Sequence, residues 1–348
     1  MAYMIPAAII SRMDLRYSVI CALIKSVFTL LEPNEVQALV PPTRATYEQW
    51  IRAHARQPAY RGRAVLDVQP LSSGKDSALL WLGNRRRARK VVLYIPGGGF
   101  VIPMLPGHLD LCWQAFVAAG LDARVEVAVA MLQYTLVPRG RMPTQLDQVV
   151  AAFAELRAQG FAPRDIIVGG ESAGGNLTMQ FAAHLLRPHP QVPAVALPHP
   201  LAAVVVISAG LGSDADGRSF RENKDSDMIT EPLLRRLAEG MLPEGEAERP
   251  ESVYNPWARP LDSDPAFWAR LGDAVTETYF MVGDRELLAD HSRSMAALVK
   301  KQAPDVVVRL EEMAGQPHAG ILLEATLGKV GESLTNMKKW YSAHVSSK

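Results

Sequence analysis

The sequence of 348 residues has few cysteines, almost no charge imbalance and no long uninterrupted apolar run. Its two cysteines, Cys21 and Cys112, give no disulfide framework and are typical of a reducing compartment, so we expect a cytoplasmic protein. The chain has 37 basic and 36 acidic residues, so its net charge is +1. This balance does not predict a nucleic-acid partner. The thirteen methionines are expected to fill the core and line a pocket rather than bind metal, and we expect no cofactor.

The N-terminal segment Met1–Leu31 is apolar, but four charged residues interrupt it, namely Arg12, Asp14, Arg16 and Lys25. Each apolar stretch is therefore too short to span a bilayer. The segment also lacks a basic region ahead of an apolar one and a clear cleavage site, which disfavours a signal peptide. Its apolar residues recur at helical spacing and predict an amphipathic helix: Leu15, Val19, Ile20, Leu23, Ile24, Val27, Phe28 and Leu31. Binding of this helix to a membrane surface stays open.

Residues 170–174 read Gly-Glu-Ser-Ala-Gly and match the G-x-S-x-G pattern of a nucleophile elbow. They lie between the apolar run Asp165–Val168 and the apolar segment Leu177–Leu186, as expected for a sharp strand-to-helix turn. Such a turn strains the serine backbone and needs glycines on either side. The pattern therefore predicts Ser172 as a nucleophile.

A glycine-rich loop precedes this elbow in the chain. The strand-like run Lys90–Ile95 ends in Pro-Gly-Gly-Gly-Phe at residues 96–100. Glycines after a strand leave backbone N–H groups bare, which is what stabilising a tetrahedral oxyanion requires. A dinucleotide site is excluded, since no G-x-G-x-x-G spacing follows and no helix opens directly on the loop. A plain tight turn remains an alternative.

With these motifs the chain resembles the hormone-sensitive-lipase-like α/β-hydrolases, from about residue 88 to the C-terminus. Residues 134–138, Tyr-Thr-Leu-Val-Pro, with Pro143 after them, are similar to the family's Tyr-Arg-Leu-Ala-Pro segment, and a later Ser/Asn/Asp pattern is matched by Ser219, Asn223 and Asp227. One departure is Pro96, which stands where the family has a histidine that supports the glycine loop. By position in the motifs, the resemblance implies an oxyanion hole made by the N–H groups of Gly98, Gly99 and Ala173.

The base and the acid follow the serine in this fold, in the order serine, acid, histidine. Asp305–Glu311 is the last strand candidate, and the loop after it ends at His318, which is therefore the expected base. The other histidines considered lie elsewhere: His291 in a helical stretch, His344 in the tail, and His184, His189 and His199 around the helix after Ser172.

The acid must come from the segment after the apolar strand Thr276–Val282, which offers three carboxylates. In the family the acid is followed by leucine at the second position and aspartate at the fourth, and the resemblance therefore favours Glu286, which Leu288 and Asp290 follow. A glutamate in this role is similar to the fungal branch that includes steryl-acetate hydrolases. Asp284 is the alternative acid, and Asp290 is expected to cap or flank a helix.

Eight strand candidates alternate mostly with helix-like segments, which predicts an α/β fold with a mostly parallel sheet and helices on both faces. They are Ala64–Val68, Ala78–Leu82, Lys90–Ile95, Arg124–Met131, Asp165–Val168, Ala202–Ile207, Thr276–Val282 and Asp305–Glu311. A basic cluster between the second and third, residues 85–90, is expected to be a solvated hairpin turn. We predict one catalytic domain over 61–348, preceded by a helical cap segment over 1–60, with an insertion over about 211–272 that helps to build the pocket. The resemblance implies that the N-terminal helix caps the active site.

The sequence therefore predicts a serine carboxylesterase or deacetylase that removes a short acyl group from an apolar alcohol through an acyl-enzyme. An acyltransferase or lactone-forming enzyme would keep the same three residues, and the sequence does not separate the two. A non-catalytic ligand receptor on this fold is disfavoured, because Ser172 and His318 are both present. The natural substrate and the oligomeric state are not predicted.

Overall fold

A computed structural model describes residues 13–74, 76–249 and 252–346. One eight-stranded sheet runs through the centre of the molecule, in the order β1-β2-β4-β3-β5-β6-β7-β8. Strands β1 and β2 pair antiparallel and β2 runs antiparallel to β4, whereas all strands from β4 to β8 in that order are parallel. The strands are β1 Val68–Pro70, β2 Ala78–Gly83, β3 Lys90–Ile95, β4 Val127–Gln133, β5 Ile166–Glu171, β6 Ala203–Ile207, β7 Glu277–Gly283 and β8 Val307–Met313.

The helices lie on both faces of this sheet and over its carboxyl edge. They are α1 Leu15–Leu30, α2 Pro33–Leu39, α3 Thr43–His54, α4 Pro106–Cys112, α5 Ala119–Asp122, α6 Thr144–Ala158, α7 Ala173–Leu186, α8 Arg218–Asn223, α9 Glu231–Met241, α10 Asn255–Ala258, α11 Ala289–Gln302, α12 Gly320–Thr326 and α13 Glu332–Ser346. Wider π-helical turns at Trp113–Ala118 join α4 to α5.

The central strands are buried on both faces, which explains their continuous β-branched runs. Helices α6, α7 and α11 cover one face and enclose a core that includes Leu93, Phe153 and Phe181. Helices α3, α4 and α13 cover the other face, where Tyr94 and Tyr341 are fully buried. Two apolar layers thus sandwich the sheet, and the prediction of an α/β fold with a mostly parallel sheet is confirmed.

A third apolar cluster joins the N-terminal helix to the insertion and to the loops of the carboxyl edge. Its buried members are Met13, Tyr17, Cys21, Ala22, Phe220, Met228, Ile229, Leu233, Leu287, Leu288 and Leu323. A guanidinium N–H of Arg236 on α9 donates to the carbonyl of Phe28 on α1, and Lys25 Nζ donates to Lys224 O at 2.9 Å. We call α1, α8 and α9 together the cap; the division at residue 60 and the insertion limits stay predictions.

Two predictions about the segments before and after β2 are wrong, namely the strand at 64–68 and the hairpin turn at 85–90. Residues 64–67 are not in a strand: β1 begins at Val68, and the Asp67 N–H donates to the Tyr47 hydroxyl at 3.1 Å, which itself donates to Trp81 O at 2.8 Å. The basic turn at 85–90 does not close a hairpin, because β4 lies between β2 and β3. Within the basic turn Arg85 pairs with Asp67 at 2.7 Å and is half-buried, whereas Arg86, Arg87 and Arg89 are exposed to solvent as predicted.

The amphipathic helix predicted near the N-terminus corresponds to α1, while residues 1–12 lie outside the described part of the chain. Over 13–74, 76–249 and 252–346, none of the helices combines the length and the apolar character needed to cross a membrane. Ile24 and Phe28 face the cap interior, and Leu15, Val19 and Leu23 on the other side are about half exposed.

Candidate active site

The elbow after β5 holds Ser172 in a strained backbone conformation. Its φ of 53° and ψ of −119° lie outside the regions that side-chain-bearing residues favour, and α7 begins at the next residue. A Cβ on Gly170 or Gly174 would collide with the carbonyl oxygen of Ile95 at the end of β3. The two glycines therefore let the elbow approach β3 and place the serine hydroxyl above the carboxyl edge of the sheet.

His318 reaches this serine from the loop after β8. Its Nε2 lies 2.9 Å from Ser172 Oγ, although 146 residues separate the two in the chain. The loop is packed so tightly on the end of β7 that a Cβ on Gly283 would collide with the backbone of Gln316. Burial lowers the pKa of His318 to about 3, which favours the neutral imidazole that a general base requires.

Glu286 approaches the other side of the imidazole from the loop after β7. It is fully buried; Oε2 accepts from Ser208 Oγ at 2.7 Å and from the Gly283 N–H at 3.3 Å. Its Oε1 faces His318 Nδ1 at 4.0 Å, and neither atom has a hydrogen-bond partner within the described chain. If Glu286 Oε1 and His318 Nδ1 lay about 1 Å closer, they would form a hydrogen bond. Burial, and then the charge of Asp227, raise the pKa of Glu286 well above its usual value.

The other two carboxylates of this loop point away from the imidazole. Asp284 Oδ1 accepts from the Gly315 N–H at 2.7 Å, at the turn that follows β8. Asp290 Oδ2 accepts from the Ser219 N–H at 2.7 Å in the first turn of α8. Of the three candidates, the structure brings only Glu286 to His318.

The insertion holds the acid loop through the residues of the later Ser/Asn/Asp pattern. Asn223 Nδ2 donates to the carbonyls of Asp284 and Glu286 at 3.1 and 2.9 Å. Asp227 Oδ2 accepts from the Leu287 N–H at 2.6 Å, and burial raises the pKa of Asp227 to about 7. The backbone on both sides of Glu286 is thus fixed by the insertion.

The glycine loop lies across the elbow from His318. Gly98 and Gly99 have φ of 113° and 61°, in the region that glycine adopts without strain. Together with Ala173 they line the cavity beside Ser172. A Cβ on Gly99 would lie 2.8 Å from the Leu237 side chain of α9, so the cap rests directly on this loop.

Sequence reasoning missed the role of Glu171, which immediately precedes the serine. Its carboxylate is 1% exposed and receives three donors from β3, the glycine loop and α4: Tyr94 Oη at 2.7 Å, the Gly97 N–H at 2.6 Å and His108 Nε2 at 2.7 Å. The signal in the sequence was a carboxylate at the end of an otherwise apolar strand.

Sequence reasoning also missed Ser208, which follows β6. Its hydroxyl donates to Glu286 and accepts from the Ala319 N–H at 3.0 Å. Ser208 therefore connects the loop of the acid to the loop of the histidine, next to both Glu286 and His318.

A cavity of about 480 Å³ opens above Ser172 and His318. Its walls are mostly apolar and come largely from the cap, with Ile24 and Phe28 from α1 and Leu233, Leu234 and Leu237 from α9. This volume is in the range of small-molecule sites in proteins. Among the residues that the structure describes, no three His, Cys, Asp or Glu side chains are grouped to hold a metal ion.

Comparisons with known proteins agree with this geometry. A family model described as "alpha/beta hydrolase fold" matches residues 92–322. An esterase of Acinetobacter venetianus is 24% identical over 234 residues, which is 66% of each chain. An acetyl-hydrolase of Streptomyces hygroscopicus is 26% identical over 268 residues, 77% of this chain and 78% of that protein. The crystal structure of a hormone-sensitive lipase from a metagenome library superposes with a TM-score of 0.66 over 96% of this chain and 99% of that one, at 23% identity.

Proposed function

Because the chain belongs to the family with the alpha/beta hydrolase fold, we propose that it is a serine carboxylesterase or deacetylase. The substrate is a short-chain acyl ester of an apolar alcohol, and the reaction proceeds through an acyl-enzyme. The observation that carries this proposal is the 2.9 Å contact between Ser172 Oγ and His318 Nε2 at the floor of an apolar cavity. A serine hydroxyl needs a base at that distance to act as a nucleophile at neutral pH.

In the acylation step Ser172 Oγ attacks the ester carbonyl while His318 Nε2 takes the hydroxyl proton. The carbonyl oxygen becomes an oxyanion that receives the N–H groups of Gly98, Gly99 and Ala173. When the tetrahedral intermediate collapses, His318 donates the proton to the leaving alcohol. Water then repeats the sequence on the acyl-enzyme, which releases the acid and regenerates the serine.

Glu286 orients the imidazole in this scheme. Since Nε2 accepts from the serine hydroxyl, the single ring proton of neutral His318 lies on Nδ1, the atom that faces Glu286 Oε1. When His318 becomes protonated, the carboxylate stabilises the imidazolium. Ser208 and the Gly283 N–H hold the other carboxylate oxygen, so Glu286 cannot turn away from the ring.

The walls of the cavity support an apolar alcohol as leaving group, because aliphatic and aromatic side chains of α1 and α9 enclose the space above Ser172. An acetyl or similarly short acyl group is supported by the name of the Streptomyces relative.

A cytoplasmic location rests on the two buried cysteines, Cys21 and Cys112, which are both free. The outer face of α1 is the surface through which the protein would contact a lipid layer.

Acyl transfer to a second alcohol, or lactone formation, uses the same three side chains and differs in whether water reaches the acyl-enzyme. Addition of alcohol acceptors to the hydrolysis assay separates these reactions, because a transferase gives the new ester in preference to the free acid. A non-catalytic receptor does not require a serine within hydrogen-bond distance of a buried imidazole. We therefore rank this function below hydrolysis and acyl transfer.

The experiment that tests the proposal is pre-steady-state hydrolysis of p-nitrophenyl acetate. We expect a burst of p-nitrophenol that matches the enzyme concentration, or steady turnover if deacylation is fast. Ser172→Ala should lose on the order of 10³-fold or more in kcat while the protein stays folded. Ser346→Ala is the control, because Ser346 is an exposed serine on α13 and does not line the cavity. Turnover by Ser172→Ala at the wild-type rate would refute the proposal.

A further inference from the structure

One peptide bond in the glycine loop has both of its polar groups held by buried side chains. It joins Pro96 to Gly97: the Pro96 carbonyl accepts from Tyr134 Oη at 2.8 Å, and the Gly97 N–H donates to Glu171 Oε1 at 2.6 Å. Tyr134 is 7% exposed and Glu171 1% exposed, so neither bond competes with bulk water. The plane of this peptide is therefore fixed from both sides.

The peptide unit that follows it carries the first proposed oxyanion donor, the N–H of Gly98. Gly97 lies so close to Glu171 that an added Cβ would collide with the carbonyl and the carboxylate of that residue. On its far side the loop is closed by the Gly98 carbonyl, which accepts from the Val101 and Ile102 N–H groups at 3.0 and 2.8 Å. On its near side the direction of the Gly98 N–H depends on the orientation of the Pro96–Gly97 peptide.

The Glu171 carboxylate is held in turn by Tyr94 and His108. His108 Nε2 donates to Glu171 Oε1 at 2.7 Å. Burial lowers the pKa of His108, but the charge and the hydrogen bond of Glu171 together outweigh burial and leave that pKa raised. His108 Nδ1 lies 3.0 Å from the Leu105 nitrogen and 3.1 Å from the Leu105 carbonyl oxygen. Tyr94 Oη donates to Glu171 Oε2. These donors compensate a negative charge that lies next to the nucleophile, where an oxyanion forms during the reaction.

We propose that Glu171 and Tyr134 are positioning residues that clamp the Pro96–Gly97 peptide and thereby aim the N–H groups of Gly98 and Gly99 at the oxyanion. This inference rests on the proposed function of Ser172. It also accounts for Pro96, whose ring removes a donor and restricts φ at the position where related proteins carry a histidine. In this chain the support of the loop comes from Glu171 at the end of β5 and from Tyr134, which follows β4.

Glu171→Leu tests the first half of the clamp. An aliphatic side chain leaves the Gly97 N–H without an acceptor, whereas a glutamine oxygen in the place of Oε1 would still receive it. We expect kcat to fall about 10- to 100-fold, because a misaligned oxyanion donor costs about that much, with KM changed less than about threefold. The affinity for phenylboronic acid, which forms a tetrahedral adduct on serine, should fall by the same factor as kcat/KM.

Tyr134→Phe tests the second half and keeps the proposal testable if Glu171→Leu does not fold. It removes one hydroxyl and should lower kcat and boronate affinity together, by about 5- to 20-fold. The double variant should lose less than the product of the two factors, because both side chains hold one peptide. Losses that multiply fully would show that the two act on separate groups, and this would overturn the clamp.

Glu277→Leu is the matched control, since Glu277 is a half-buried carboxylate at the amino end of β7, far from the site, that accepts from Trp340 Nε1 at 2.8 Å and from Arg309. It should lower the melting temperature and leave kcat unchanged. Wild-type kcat and boronate affinity in folded Glu171→Leu and Tyr134→Phe would overturn the clamp and leave the proposed function intact. A wild-type protein without ester hydrolysis or boronate binding would overturn both.

Discussion

Glu286 and Asp284 stand two residues apart after the same strand, yet their carboxylates meet different partners. Glu286 faces His318, whereas Asp284 accepts from the Gly315 N–H. Glu286→Gln should therefore cut kcat by roughly 10²–10⁴-fold, because an amide cannot stabilise the imidazolium and favours the wrong tautomer. Asp284→Asn keeps an acceptor for Gly315 and should change kcat less than about threefold. Steady-state kinetics with p-nitrophenyl acetate measures both, and the reverse ranking would reassign the acid to Asp284.

The pH dependence of kcat/KM reports on the same pair of residues. Burial lowers the pKa of His318 to about 3 and raises the pKa of Glu286, so the last proton of the pair resides largely on the carboxylate. Wild-type kcat/KM should rise with pH as that proton leaves. In Glu286→Gln only His318 can bind this proton. The rising, acidic part of the kcat/KM profile should therefore move to lower pH by about one unit or more. An acid limb that stays in place or moves upward would contradict this coupling.

At the scale of single residues, local patterns in the sequence were enough to single out two side chains that the structure brings within hydrogen-bond distance. Ser172 lies in an elbow motif, and His318 follows the last strand. Glu171 was missed because its partners Tyr94, Gly97 and His108 lie 77, 74 and 63 residues away in the chain. A buried carboxylate acquires a role from its donors, and these are known only once β3 and β5 are paired.

At the scale of elements, the pairing of β2 shows what the sequence left open. Periodicity predicted strands at 78–82 and 90–95, and both are present. Adjacent strands in sequence were assumed to form a hairpin, but β2 pairs instead with β4, whose residues lie about 50 positions later. The choice of β4 as the partner of β2 depends on which arrangement buries both faces of the strand. Local strand propensity does not encode that choice.

At the scale of elements, helix α1 forms one wall of the cavity, so a change in its inner face should alter substrate binding. Phe28 lines the cavity, while the adjacent Val27 points outward and is 37% exposed. Phe28→Ala should raise KM for 2-naphthyl acetate by about 3- to 10-fold, because apolar contact with the bulky alcohol is lost. Its KM for ethyl acetate should change less than about twofold. Val27→Ala is the control on the same helix and should match wild type with both esters; equal effects of the two variants would contradict this role of α1.

At the scale of the whole molecule, buried carboxylates lie at the carboxyl edge of the sheet although the net charge of the chain is only +1. Glu171, Asp227 and Glu286 are each at most 1% exposed. The sequence predicted the fold because alternating strands and helices specify a doubly covered sheet. It could not predict that the charge of Asp227 reaches Glu286, since residues 227 and 286 come together only when the insertion and the loop after β7 are assembled.

Asp227 makes the stability of the whole molecule depend on pH. Burial raises its pKa from 3.8 to about 7, so the folded state binds the proton more tightly than the unfolded state does. The stability that this proton contributes is complete below about pH 4 and is lost as pH rises through 7. In Asp227→Asn the side chain is neutral at every pH. The variant should therefore be close to wild type at pH 4 and gain about 2 to 4 kcal/mol relative to it by pH 8, less a constant cost for the altered contact with the Leu287 N–H.

Urea unfolding followed by circular dichroism at pH 4, 6 and 8 measures this difference. Asp225→Asn is the control for the same substitution in this segment, because Asp225 lies two residues away and its side chain is exposed. The same unfolding curves report on the acid loop, since Asp227 accepts from Leu287 beside Glu286. If the difference between Asp227→Asn and wild type is the same at pH 4 and pH 8, Asp227 is ionised in the folded protein throughout, and the network around Glu286 must contain a compensating positive charge.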